Sequence, residues 1–110
     1  MKNRLIFLFS IIYLFHFSAL ATGKKVFETY CWGCHHQTAV AFGPSFEEIA
    51  SKRNADEIKA MITDPKSVSQ VFGYRRNAMP AFTLSDENLT SITQYILSFN
   101  SENNTTQGEK

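Results

Sequence analysis

Hydrophobic residues are spaced along this chain in two ways. Residues 5–15 (Leu-Ile-Phe-Leu-Phe-Ser-Ile-Ile-Tyr-Leu-Phe) form a nearly unbroken apolar run. Further on, apolar positions recur at three- and four-residue intervals, the spacing that lines one face of a helix. Phe27, Tyr30, Cys31 and Cys34 share such a face and predict a first helix from about Lys24, with Gly23 leaving room for a close backbone approach. A short helical turn is predicted around residues 46–51, opened by Ser45 after Pro44. A third helix begins at Asn54, which pairs with Glu57 in the manner of a capping box; Ile58, Met61 and Ile62 give its apolar stripe and Pro65 stops it. Residues 66–84 hold Gly73 and Pro80 but no sustained period, and predict a long loop of the kind that is usually functional in a compact domain. The last helix is the clearest. Ser85 caps it, Asp86 and Glu87 suit its positive end, and Leu89, Ile92, Ile96 and Phe99 form its buried stripe beside Tyr95. No strand pattern and no internal repeat is visible, so the fold class is all-α.

The first apolar run has a different meaning. Lys2 and Arg4 precede it, and Ala19-Leu20-Ala21 follows with the small-x-small pattern that a signal peptidase cuts. The competing reading is an uncleaved anchor, but the 17 residues from Leu5 to Ala21 include Ser10 and His16 and sit at the short limit for a spanning helix. The expected organisation is therefore a signal peptide over residues 1–21, one domain over 22–100 and a disordered polar tail over 101–110. Net charge over the 110 residues is +1 at pH 7, with no basic block to suggest nucleic acid. Asn88, Asn103 and Asn104 fit the Asn-x-Ser/Thr pattern, which is short and common by chance. A domain this small buries a modest core and often relies on a metal, disulfide or cofactor.

Chemistry concentrates at residues 31–35, Cys-Trp-Gly-Cys-His, which use both cysteines of the chain. A Cys-x-x-Cys-His run is the attachment site of a c-type haem: each thiol adds to one vinyl group and the imidazole ligates iron. Positions i, i+3 and i+4 share one face of a helical turn, so Cys31, Cys34 and His35 can address one porphyrin. A structural disulfide or redox dithiol is the blander reading, though a redox pair would want a βαβ setting. Zinc would need about four ligands, and only Cys31, Cys34, His35 and His36 cluster here. Export agrees with haem c, which is attached on the far side of the membrane, in a bacterial periplasm.

A low-spin haem that only moves electrons wants a second strong axial ligand. His16 leaves with the leader, and His36 adjoins His35 and cannot reach the opposite haem face. Met61, Met79, a Lys, a Tyr or water remain. Met61 lies at helical core spacing, where gap-filling accounts for it. Met79 lies in the predicted loop with Pro80 restricting its backbone, and is the stronger candidate. Arg75 and Arg76 lie near enough in sequence for a propionate contact but fit solvated loop charge equally. Lys52 and Arg53 read as surface charge, and Trp32 as cover for a haem edge.

Gly23 and Phe27, Cys31 to His35, Gly43-Pro44, Met79-Pro80 and Tyr95 together give the chain its likeness: it resembles a class I c-type cytochrome of the short bacterial mono-haem kind, over residues 23–99. The resemblance implies a cytochrome c fold of three to four short helices around one covalently bound haem c, with crossing N- and C-terminal helices. It implies that the Pro44 carbonyl accepts the Nδ1–H of His35, and that an exposed haem edge near the cysteines passes electrons. Cofactor-binding residues would be Cys31, Cys34, His35, Pro44 and Met79, with His35 and Met79 on the metal. The expected function is a periplasmic carrier of single electrons, not an enzyme, between a redox donor and acceptor. The alternative is a haem c subunit of a larger periplasmic oxidoreductase such as a dehydrogenase or oxidase. A five-coordinate haem enzyme is a third possibility, which Met79 ligation would exclude.

Overall fold

The structure is a computed structural model that describes residues 19–100. Residues 1–18, most of the expected signal peptide of residues 1–21, and residues 101–110, the expected polar tail, lie outside the described residues. Five helical segments carry the described chain, with no strand among them. None of these helices is long and apolar enough to cross a membrane.

Helix α1 is already formed at residue 19, earlier than the Lys24 start, and runs to residue 26. Ala19, Leu20 and Ala21 are strong helix formers, which accounts for the extension. It then widens into a π-helical turn over Phe27–Cys31, closed by the Trp32 amide donating to the Phe27 carbonyl at 3.0 Å. Such turns are concentrated at functional sites. Helix α2 (Phe46–Lys52) starts where Ser45 accepts from the Glu48 amide. Helix α3 (Ala55–Thr63) carries the complete Asn54–Glu57 capping box.

Pro65 does more than stop α3. It is the first residue of a further helix, α4 (Pro65–Val71), whose cap Asp64 accepts from the Ser67 amide. The loop expected over residues 66–84 is therefore shorter and begins after α4. A proline has no amide hydrogen to lose in a first turn, so it ends one helix and starts the next. Gly73, at φ 79°, then turns the chain out of α4, a conformation that favours glycine. Helix α5 (Asp86–Leu97) begins at Ser85, which accepts from the Asn88 amide.

Helix α5 is the hub of the core. Its Ile92 is wholly buried, and Ile96 joins Val26 and Phe27 of the first segment, Phe46 of α2, and Ile58 and Ile62 of α3 in one cluster. Leu89 and Phe99, at the ends of the predicted stripe, are only half-buried against it. Thr93 is buried among them and satisfies its hydroxyl on the Leu89 carbonyl at 2.7 Å. Helix α1 meets α5 at Gly23. A Cβ there would collide with the Ser91 carbonyl oxygen and stand 2.6 Å from the Tyr95 Cβ. The Phe27 and Tyr95 rings meet beside this contact, 5.8 Å apart.

Because both obstacles belong to a buried helix, Gly23→Ala forces the helices apart. The expected loss is at least about 1–3 kcal/mol of folding stability, the usual cost of overpacking a core. Chemical denaturation of the two purified proteins measures it.

Candidate functional site

The π-helical turn delivers Cys31 to the end of α1, and one further turn brings round the rest of the motif. Amides of Cys34 and His35 both donate to the Cys31 carbonyl, at 3.1 and 2.9 Å. These bonds close the five residues into one compact turn.

His35 is held from three sides. Its Nδ1 lies 2.7 Å from the Pro44 carbonyl oxygen. A carbonyl only accepts, so Nδ1 carries the hydrogen and donates, and in the neutral ring Nε2 keeps its lone pair. On a second side the ring lies against Gly43, where a Cβ would stand 2.6 Å from Cε1 and 2.9 Å from Nδ1. On the third, the Phe46 ring sits 5.8 Å away, tilted by 30°. Phe46 is 1% exposed and is the centre of an aromatic cluster, edge-on to Phe27 at 5.0 Å and in contact with Tyr95 and Phe99. The connecting loop is tied down by amides of Phe46 and Glu47 donating to the carbonyls of His36 and Gln37, both at 3.0 Å. The support that Phe46 gives His35 was missed in the sequence reading. Its one signal was an aromatic placed immediately after a helix cap.

Cys31 is half-buried and Cys34 exposed, and the two are not bonded to each other. Burial, and secondarily the neighbouring Cys34, push the Cys31 thiol up to about 11, so it stays protonated at neutral pH. No group of three or more His, Cys, Asp or Glu that could hold a metal ion occurs among the described residues. His36 is exposed, and its Nδ1 accepts from the amides of Thr38 and Ala39 at 3.2 and 3.1 Å. It is committed to its own loop.

Met79 is half-buried and packs on the same apolar cluster as Cys31. Asn77 brackets it: its Oδ1 accepts from the Met79 amide at 3.2 Å and its Nδ2 donates to the Met79 carbonyl at 3.4 Å. The Phe82 amide donates to the Ile62 carbonyl at 3.0 Å, and its ring meets Tyr30 at 5.9 Å, so this loop is joined to both α3 and the first helix. Met61 is half-buried on α3 between the buried Ile58 and Ile62. Arg75 and Arg76 are exposed. Lys52 pairs with Glu48 on the surface at 2.8 Å. Arg53 departs from the surface-charge reading, because it is stacked on Phe72. Trp32, Val40 and Phe42 stand 68%, 77% and 82% exposed.

A helical domain with a Cys-x-x-Cys-His turn and an imidazole locked through Nδ1 defines a small c-type cytochrome. More specifically, a family profile described as cytochrome c oxidase, cbb3-type, subunit III matches residues 18–96, and the chain belongs to that family. The family implies haem c and a role in electron transfer. A comparison with curated proteins finds no match. Among solved structures, the cytochrome c from Rhodothermus marinus superposes with a TM-score of 0.64 at 22% identity, covering 77% of this chain and 79% of that one. An engineered cytochrome c from the same organism, bound to a carbene intermediate, gives 0.61 at 24% identity over 76% of this chain and 79% of that one. These two similarities show a shared fold.

The contact with Gly43 makes a direct prediction. Gly43→Ala pushes the imidazole off the Pro44 carbonyl and loses a hydrogen bond worth on the order of 1 kcal/mol. A change in the His35 ring nitrogen signals by NMR, with a lowered thermal midpoint, is the expected outcome.

Proposed function

We propose that this chain is a periplasmic mono-haem c-type cytochrome that carries single electrons between redox partners. The observation that carries the reading is the His35 imidazole, fixed by its Nδ1 donation at 2.7 Å and left with a free Nε2. That is the tautomer an iron ligand requires. Cys31 and Cys34 would hold the haem through two thioethers, and His35 and Met79 would bind its iron. Haem c so held supplies a reversible Fe(III)/Fe(II) couple.

The protein's own residues supply the rest. The Pro44 carbonyl orients the His35 ring and raises the basicity of Nε2, as a hydrogen-bonded partner behind a ligand does. Phe46 and Gly43 both pack against the ring and restrict its orientation. Asn77 and Pro80 fix the backbone of Met79, whose neutral thioether would favour the reduced metal and raise the potential. His35 and Met79 together would leave the metal no site for a substrate, which supports a carrier over an enzyme. The exposed apolar side chains Trp32, Val40 and Phe42 are available to the small interface that a transient electron-transfer encounter uses. Periplasmic address is supported by the basic start, apolar run and Ala19-Leu20-Ala21 pattern at the amino end.

The family description favours a second reading, a haem c electron-transfer subunit of a larger periplasmic oxidoreductase. In that case the same exposed residues would be covered by a lasting partner. Phe72 and Phe82, on either side of Met79 in the chain, are half-buried against Arg53 and Tyr30 and do not extend such a surface. Tyr74 remains exposed beside Val71.

Two measurements test the proposal. Native mass spectrometry of protein purified from its own cells should give one chain that begins after Ala21 and carries one covalent haem. A stable assembly with further chains would select the subunit reading, and free or mutually bonded thiols would refute both. Met79→Ala should lower the reduction potential and abolish the weak red thioether-to-iron charge-transfer band of the oxidised protein. An unchanged spectrum would move the ligand assignment to Met61 or another group.

A further inference from the structure

The non-helical stretch that carries Met79 is tethered at two ends. At the far end, the Phe82 amide donates to the Ile62 carbonyl of α3 at 3.0 Å. At the near end, Gly73 reverses the chain between Phe72 and Tyr74. Both flanking rings meet one side chain, Arg53, from the junction of α2 and α3. Its guanidinium carbon lies 3.5 Å from the Phe72 ring centroid and 5.9 Å from that of Tyr74. Its Nη2 donates to the Tyr74 hydroxyl at 3.5 Å, and its Nη1 to a Glu57 carboxylate oxygen at 3.4 Å.

Glu57 is itself immobilised, because its other carboxylate oxygen accepts from the Asn54 amide at 3.1 Å in the capping box of α3. The chain of contacts therefore runs from a helix cap through Glu57 and Arg53 to the Gly73 turn. The Arg53 side chain is 22% exposed, so the stacking is partly desolvated. A planar cation that covers a ring face while donating on two sides is a task for arginine; a lysine has neither the plane nor the fork. No other ion pair among those between described side chains reaches across to this turn; Lys24–Glu28 and Lys52–Glu48 each stay on their own helix.

We propose that Arg53 is a positioning residue for Met79: it clamps the turn at Gly73 to the start of α3 and so keeps the methionine-bearing loop in place. The proposal rests on the reading of Met79 as an iron ligand. In this role Arg53 acts through Phe72 and Tyr74. With the near tether cut, the loop gains open conformations, the thioether spends more time away from iron, and the metal accepts an added ligand more readily.

The test uses oxidised holoprotein of the wild type, Arg53→Gln, Arg53→Lys, Met79→Ala and, as a control, Lys52→Gln. Each is titrated with imidazole, its reduction potential is measured, and its red charge-transfer band is recorded at a temperature where circular dichroism shows it folded. Arg53→Gln should bind imidazole roughly three- to tenfold more tightly, matching the loss of a partly buried cation–π contact. Its potential should fall, Arg53→Lys should not restore the wild-type behaviour, and Lys52→Gln should be unchanged.

A wild-type affinity and potential in Arg53→Gln, alongside a large increase in Met79→Ala, would overturn the role of Arg53 alone. The same would follow from a lowered unfolding temperature with no change in affinity, since that is purely structural support. If Met79→Ala also leaves band and affinity unchanged, the ligand assignment fails and the Arg53 proposal with it. Should Arg53→Gln not accumulate as holoprotein, Phe72→Leu removes the stacking platform instead and should give the same tightening; wild-type affinity there refutes the proposal.

Discussion

The close approach of α1 to α5 at Gly23 is the contact on which the rest of the structure depends. It brings a helix that ends in the Cys-x-x-Cys-His turn against the most buried helix of the domain. The space is that of a missing side chain, since the Ser91 carbonyl and the Tyr95 Cβ fill it from the other side. Ile92 and Ile96 of α5 are then surrounded by residues from α1, α2 and α3. A change in the distance between α1 and α5 would be felt by the whole core and by the orientation of the Cys-His turn together. Close-packed interiors transmit such shifts because they have little void to absorb them.

From that frame the imidazole of His35 inherits its rigidity. Phe46 is packed edge-on to Phe27 and near Tyr95, so the aromatic cluster that seals the α1–α5 contact also backs the His35 ring. Folding energy and ligand geometry thus draw on the same side chains. Aromatic pairs of this kind contribute about 0.5–1.5 kcal/mol beyond the area they bury. Polar bonds add direction: the Pro44 carbonyl selects the ring tautomer, and the Gly43 amide donates to the Cys34 carbonyl at 2.6 Å. The loop from His35 to Pro44 is thereby closed on itself.

The Met79 side is built differently. It has no helix of its own, and its order comes from discrete tethers: Asn77 around the Met79 peptide, the Phe82–Ile62 bond, and Arg53 across the Gly73 turn. Few backbone bonds and a half-buried side chain place this segment toward the less stable end of the domain. For an electron-transfer site this division is sensible. His35 is set by the core, and Met79 by a loop held at discrete points.

The local devices were legible in the sequence itself. Ser45, Asn54–Glu57 and Ser85 announced their helices because a cap is satisfied within three residues of its own position. The Cys31–His35 turn was legible for the same reason, its bonds spanning three and four residues. Helix α4 was not, because Pro65 carries one signal for ending α3 and the same signal for beginning a helix, and its partner Asp64 only caps once the chain has turned. Arg53 and Phe46 were invisible as anything but a charge and an apolar residue. Their partners lie far along the chain, Phe72 and Tyr74 for the one, Phe27 and Tyr95 for the other. Sequence determines interactions that close over a turn of backbone; those that need two distant segments side by side exist only once the helices have packed.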